Sequence, residues 1–177
     1  SDFELEGFSV NASLLDFLSE DQILKKTEYE LEQKNNKQMG FVSFNNIDMK
    51  SDNFLLIKAW YNTKDPEYKI KSISAFVDTY IDIDKCLVQK DKIVNEVKNI
   101  FTNTERYDEG WAEHAFDKNS RTNITYFLFT YTQSTSSFIR IGCYDWSKST
   151  GYDDQLRIEI TTEDYYNWLF NLHSSLN

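Results

Sequence analysis

Two histidines, two cysteines and 29 carboxylates are the groups in this chain able to do acid–base, nucleophilic or metal chemistry. His114 follows Glu113, and a neighbouring carboxylate favours the charged imidazole. With Asp108, Glu109 and Asp117 nearby, this pair is what a small hydrolase or metal-assisted enzyme would use. Cys143 with His114 or His173 satisfies the arithmetic of a nucleophile and its base, but no spacing draws them together. Asp78, Asp82 and Asp84 fall near one strand end, and Asp145, Asp153 and Asp154 flank one loop. Neither group has the central glycine and terminal glutamate of a calcium loop, so both read as a solvated acidic rim and no metal is expected. GxSxG, GxxxxGK[ST], GxGxxG and HExxH are all missing, and five glycines leave little material for a phosphate-cradling loop. No cofactor is implied.

The segment from Asn103 to Arg121 lacks a clear period and reads as a long connector. Connectors beyond about 12–15 residues are uncommon and often functional. Its aromatic and acidic side chains suit a rim for a small molecule, a glycan or a protein partner. Trp111, His114, Glu113 and Tyr107 are the candidate ligand-binding residues, Trp111 and His114 foremost. The competing explanation is a helical turn in which Trp111, Ala115 and Phe116 plug one end of the core. Two function classes stay open: a non-catalytic binding or interaction domain using an aromatic and acidic surface, and a small hydrolase or metal-assisted enzyme around residues 108–117. The missing motifs favour the first. A structural subunit of a larger assembly is a third.

Composition narrows the partners. A net charge of −10 with 19 scattered basic residues opposes phosphate backbones and anionic membranes, so nucleic acid is excluded as a partner. No run of about 18 apolar residues occurs, so no transmembrane segment is expected. Aromatic residues reach 16%, which favours strands and large packed cores. The chain opens Ser1-Asp2-Phe3-Glu4 without an initiator methionine, as a chain would after loss of an export signal. Cys86 and Cys143 fall on the apolar faces of a helix and a strand, and read as buried thiols, free rather than bridged.

The elements that must position these groups form one domain spanning 1–177. Ser13 to Leu18 reads as a short helical turn. Ser19 with Gln22 forms a capping box for a second helix whose thin stripe is Ile23, Leu24 and Leu31. Strands follow at Gly40–Asn45, at Phe54–Tyr61 (apolar on both faces) and at Ile70–Asp82, with Pro66 in the turn before the third. Asp84 is placed as the cap of a long helix over about 84–102, its stripe Leu87, Ile93, Val94, Val97, Ile100 and Phe101, with Lys90 outside it. Three strands come next: Thr122–Thr132, Ser137–Trp146 and one centred on Leu156, Ile158 and Ile160. A closing helix carries Tyr165, Trp168, Leu169 and Leu172 on one stripe. The expectation is α+β: a single central antiparallel sheet of five to six strands with the long and C-terminal helices packed on it. That loosely resembles the photosystem oxygen-evolving-complex P-type fold, a likeness that transfers no function.

Two stretches carry a further likeness. Gly7-Phe8-Ser9-Val10-Asn11-Ala12-Ser13-Leu14-Leu15-Asp16-Phe17-Leu18-Ser19-Glu20 is one. The other runs from Cys143-Tyr144-Asp145-Trp146-Ser147 through Tyr152-Asp153-Asp154 to Tyr165-Tyr166-Asn167-Trp168-Leu169. Together they resemble a family of small uncharacterised bacterial proteins, often with an export signal ahead of the first motif. The resemblance implies a periplasmic or secreted location, with the cytoplasm as the alternative, and implies no activity.

Overall fold

The computed structural model describes residues 4–30, 37–79, 82–129 and 137–174, leaving aside the side chains of Asp78, Thr79 and His173. Leu31 and the hairpin loop expected at 133–136 lie outside the described residues. Along the chain, β1 (Glu4–Leu5) and β2 (Phe8–Ser9) form a small hairpin, followed by a 3-10 turn at Leu14–Asp16 and α1 (Glu20–Lys26). Then come β3 (Met39–Asn45), α2 (Asn46–Met49), β4 (Leu56–Asn62), β5 (Ile70–Thr79) and α3 (Ile83–Ile100). β6 (Thr104–Glu113), β7 (Arg121–Phe129), β8 (Phe138–Asp145), β9 (Gln155–Thr161) and α4 (Glu163–Ser174) complete it.

β3 to β9 form one seven-stranded sheet in the order β3-β4-β5-β9-β8-β7-β6, every neighbouring pair antiparallel. The α+β architecture matches the expectation; the strand count of five to six does not. The extra strand is β6, which runs through the segment read as a connector. Seven of its ten residues are exposed and none is buried, so it shows no alternation of apolar and polar positions. Edge strands bury one flank only, and period 2 is lost when neither face is covered.

Alternation along the inner strands sends one side-chain set to each face. Ile73 and Ala75 of β5, Ile139 and Ile141 of β8, and Ile158 and Ile160 of β9 meet Val94 and Val97 of α3 in the main core. Leu5, Phe8, Leu14 and Ile23 of the N-terminal segment extend that core over β3 and β4. On the opposite face α4 brings Tyr165, Trp168 and Leu172 onto Met39, Phe41 and Trp60. β4 is therefore covered on two sides, which explains its apolar run.

Local chemistry sets the helix ends. The Ser19 hydroxyl accepts from the Gln22 N–H, and the Gln22 amide oxygen accepts from the Ser19 N–H at 2.9 Å. The cap of α3 is Asp82, not Asp84: its carboxylate accepts from the N–H groups of Asp84 and Lys85. The buried stripe of α3 is also rotated from the expected one. It runs Cys86, Lys90, Val94 and Val97, while Ile100 faces solvent. Lys90 is only 5% exposed, its methylenes packed inside and its ammonium donating to Asn123 Oδ1 at 3.0 Å and Thr125 Oγ1 at 2.9 Å. Burial first of all holds this amine below its ordinary pKa.

Cys86 and Cys143 are fully buried, as expected, but they are bridged rather than free, with Cα atoms 6.0 Å apart. Leu156 packs beside them, with Val77, Ile83, Leu87 and Ile93 around the cluster. Spacing along the chain cannot foretell this, because the bridge joins a helix to the strand beneath it.

Candidate functional site

β6 carries the sequence-designated residues, and a bulge decides where they point. Asp108 pairs with Thr125 and Gly110 with Ile124, so Glu109 is an extra residue without an opposite partner. Gly110 makes this possible by taking φ +71° in open space. One inserted residue exchanges the two faces for everything that follows. Tyr107 thus lies on the α4 side of the sheet, in register with Tyr126 and Arg140, its ring 6.1 Å from that of Tyr126. Trp111 falls on the α3 side, in register with Asn123 and Cys143, 38% exposed under the Arg121 guanidinium at 4.4 Å. Glu113 is exposed in register with Arg121. His114, just past the strand, returns to the α4 side. The four candidates therefore divide, Tyr107 and His114 on one face, Trp111 and Glu113 on the other. The helical-plug alternative fails too, since 104–113 is strand.

His114 is half-buried among aromatic rings: Trp146 at 4.5 Å, Phe116 at 5.4 Å and Tyr144 at 6.4 Å. Burial, then Arg157, pushes its pKa down, against the pull of Asp117. Its Nδ1 accepts the Phe116 N–H at 3.3 Å, so the neutral ring carries its proton on Nε2. The loop beneath is tied by Asp117, whose carboxylate accepts from the hydroxyls of Ser120 and Ser147 and is held below the ordinary range by those bonds.

Deeper on the same face lies a cluster that sequence reasoning missed. Glu159 of β9, 6% exposed, accepts from the Tyr144 hydroxyl at 3.1 Å and from the Ser74 hydroxyl at 3.1 Å. Arg140 of β8 reaches its Oε2 at 2.8 Å, while Arg157 of β9 stands 3.7 Å from its Oε1. Burial alone would raise the Glu159 carboxyl, but Arg140, Arg157 and the two hydroxyls bring it below its ordinary value. Tyr144 moves the other way, to about 12, through burial and the facing carboxylate. Arg157 is held by stacking: its guanidinium lies 3.7 Å from the Tyr144 ring centre, 5.3 Å from Phe76 and 5.9 Å from Trp146. No hydrogen bond from that guanidinium reaches a described residue, and its Nε is buried without a partner. Arg140 Nε, Trp146 Nε1 and Gln155 Oε1 are likewise buried and unpartnered.

The alternation Arg157, Glu159, Thr161 against Leu156, Ile158, Ile160 looks like an ordinary solvated face. The signal that distinguishes it is the aromatic company at the same parity: Phe76 on β5, and Phe138 and Tyr144 on β8, with Trp146 beyond them.

Acidic residues around the loop have protein partners. Asp145 pairs with Arg121 at 2.7 Å, and Asp154 accepts the Trp146 N–H at 2.9 Å. Among the described residues no three His, Cys, Asp or Glu side chains gather as metal ligands, and both cysteines are committed to the bridge. No described helix is long and apolar enough to cross a membrane. Comparison with protein-family models, with curated proteins and with solved structures found no match, so the functional reading rests on the site itself.

Proposed function

We propose that this chain is a non-catalytic binding domain whose ligand face is the half of the sheet not covered by α4, over β7, β8 and β9. The carrying observation is Arg157: a stacked, half-buried guanidinium that makes no hydrogen bond to a described residue, beside Arg140 and the buried Glu159. Buried ion clusters cost stability relative to apolar packing, and buried polar atoms in folded proteins nearly always have partners. A site that departs from both rules reads best as one kept for a ligand. The rim supplies aromatic contact area: Tyr107, Phe116, Tyr152 and Tyr166 are all exposed around it.

An enzymatic reading has less support, because strand alternation parts Glu113 from His114 and the bridge removes the thiol nucleophile. An exported setting belongs to the proposal, supported by the bridge, since disulfides persist in oxidising compartments. The test is a fragment library of neutral, acidic and basic compounds screened by amide chemical-shift changes. The expected shifts gather at Tyr126, Arg140, Tyr144, Trp146 and Arg157. Shifts gathered on α3, or none at all, would overturn the reading.

A further inference from the structure

The charge balance of the cluster says what kind of ligand belongs there. Two guanidinium groups face a single buried carboxylate, an excess of one positive charge inside a chain of net charge −10. Of the unpartnered buried atoms on this part of the sheet, three are N–H donors, Arg140 Nε, Arg157 Nε and Trp146 Nε1, against one acceptor, Gln155 Oε1. The donors call for an acceptor, and an anion is the strongest one. The surrounding surface is aromatic: Arg157 lies between Tyr144 and Phe76, Trp146 stacks on Tyr144 at 5.9 Å, and Tyr152 closes on Trp146 at 5.2 Å. A neutral His114, its proton on Nε2, adds a donor without adding charge. Arg157 is the member a ligand reaches: it and Arg140 are similarly accessible, at 18% and 20%, but Arg140 is engaged by Glu159 at 2.8 Å whereas the Arg157 contact is 3.7 Å long.

We propose that this face binds a planar organic monoacid, its carboxylate taken by Arg157 and its ring stacked against Trp146. The proposal rests on the binding-face reading and adds the chemical class. A phosphate is disfavoured: its second charge exceeds the local excess, and it offers nothing to the aromatic walls. The guanidinium fork matches a carboxylate in geometry as well as charge, and the stacked rings fix the plane in which it is presented.

The experiment titrates the oxidised protein with benzoate and phenylacetate, each against its amide, and with inorganic phosphate. The readout is the Trp146 indole N–H cross-peak, with tryptophan fluorescence as a second signal. Acids are expected to bind about tenfold or more tightly than amides and phosphate. Arg157→Gln should abolish that preference and Arg157→Lys should keep only part of it, with near-UV circular dichroism confirming the fold. The acid–amide comparison in the unaltered protein stands even where Arg157→Gln does not fold. Equal binding of acid and amide at Trp146, or phosphate binding as tightly as benzoate, overturns the acid class and leaves the binding face standing. So does silence from all these probes while library compounds shift the same face. Silence from probes and library alike overturns both.

Discussion

Removing the Cys86–Cys143 bridge should cost this protein a large part of its stability. The bridge joins residues 57 apart in sequence, and the chain-entropy relation for a loop of that size gives about 14 cal/mol/K, or about 4 kcal/mol at room temperature. A domain of this length has roughly 5–15 kcal/mol in hand, so the loss is a large fraction. At about 2–4 °C per kcal/mol, the melting temperature should fall by about 8–16 °C. The assay is thermal unfolding by calorimetry or circular dichroism, with and without a phosphine reductant, repeated on the double variant Cys86→Ala, Cys143→Ala. The cluster of Leu156, Val77, Ile83, Leu87 and Ile93 stays apolar in that variant, so the shift reports the cross-link more than the packing. A shift under about 3 °C would refute the reasoning. Two titratable thiols in denatured, unreduced protein would refute the bridge itself.

Three further outcomes follow from the buried charges. Glu159→Gln leaves Arg140 and Arg157 uncompensated, and should cost about 3–5 kcal/mol in urea unfolding; an unchanged midpoint contradicts it. Stability should decline as pH falls, in two steps of the same sign. His114 has a depressed folded pKa, so the unfolded chain takes the proton first and stability drops below its ordinary 6.5. Glu159 is depressed from 4.5, so its contribution is full above that value and is lost as pH passes through its lower folded pKa. Urea midpoints that stay flat from neutral pH to about 5 would contradict the first step, and midpoints that stay flat as pH falls further below 4.5 would contradict the second. Lys90→Met keeps the buried stem and removes a desolvated charge, and should stay within about 1 kcal/mol of the unaltered protein. Lys90→Ala should cost about 2 kcal/mol or more, by leaving a cavity; equal stabilities for the two variants would remove the packing role.

The inner sheet was legible in the sequence because its strands bury one face under α3 and show period 2, as β5 and β9 do. The capping box at Ser19 was legible because its two hydrogen bonds are local. β6 was not, since an edge strand exposed on both faces has no apolar period to read. The candidate site failed on two counts: the bulge at Glu109, made possible by Gly110, separates Tyr107 from Trp111, and plain strand alternation sets His114 on the face opposite Trp111 and Glu113. Arg140, Arg157 and Glu159 were hidden by looking like a solvated face. Lys90 was hidden because lysine sits inside so seldom. The partnership of Cys86 and Cys143 lives in the docking of α3 on β8, which no local pattern encodes.

The most direct test of the binding face is a crystal structure with the fragment that gives the largest shifts. Density is expected against Trp146 and Arg157, on the sheet half that α4 leaves uncovered, with Glu159 still paired to Arg140. A fragment seated against α3, or beside Trp111 on the opposite face, would contradict it.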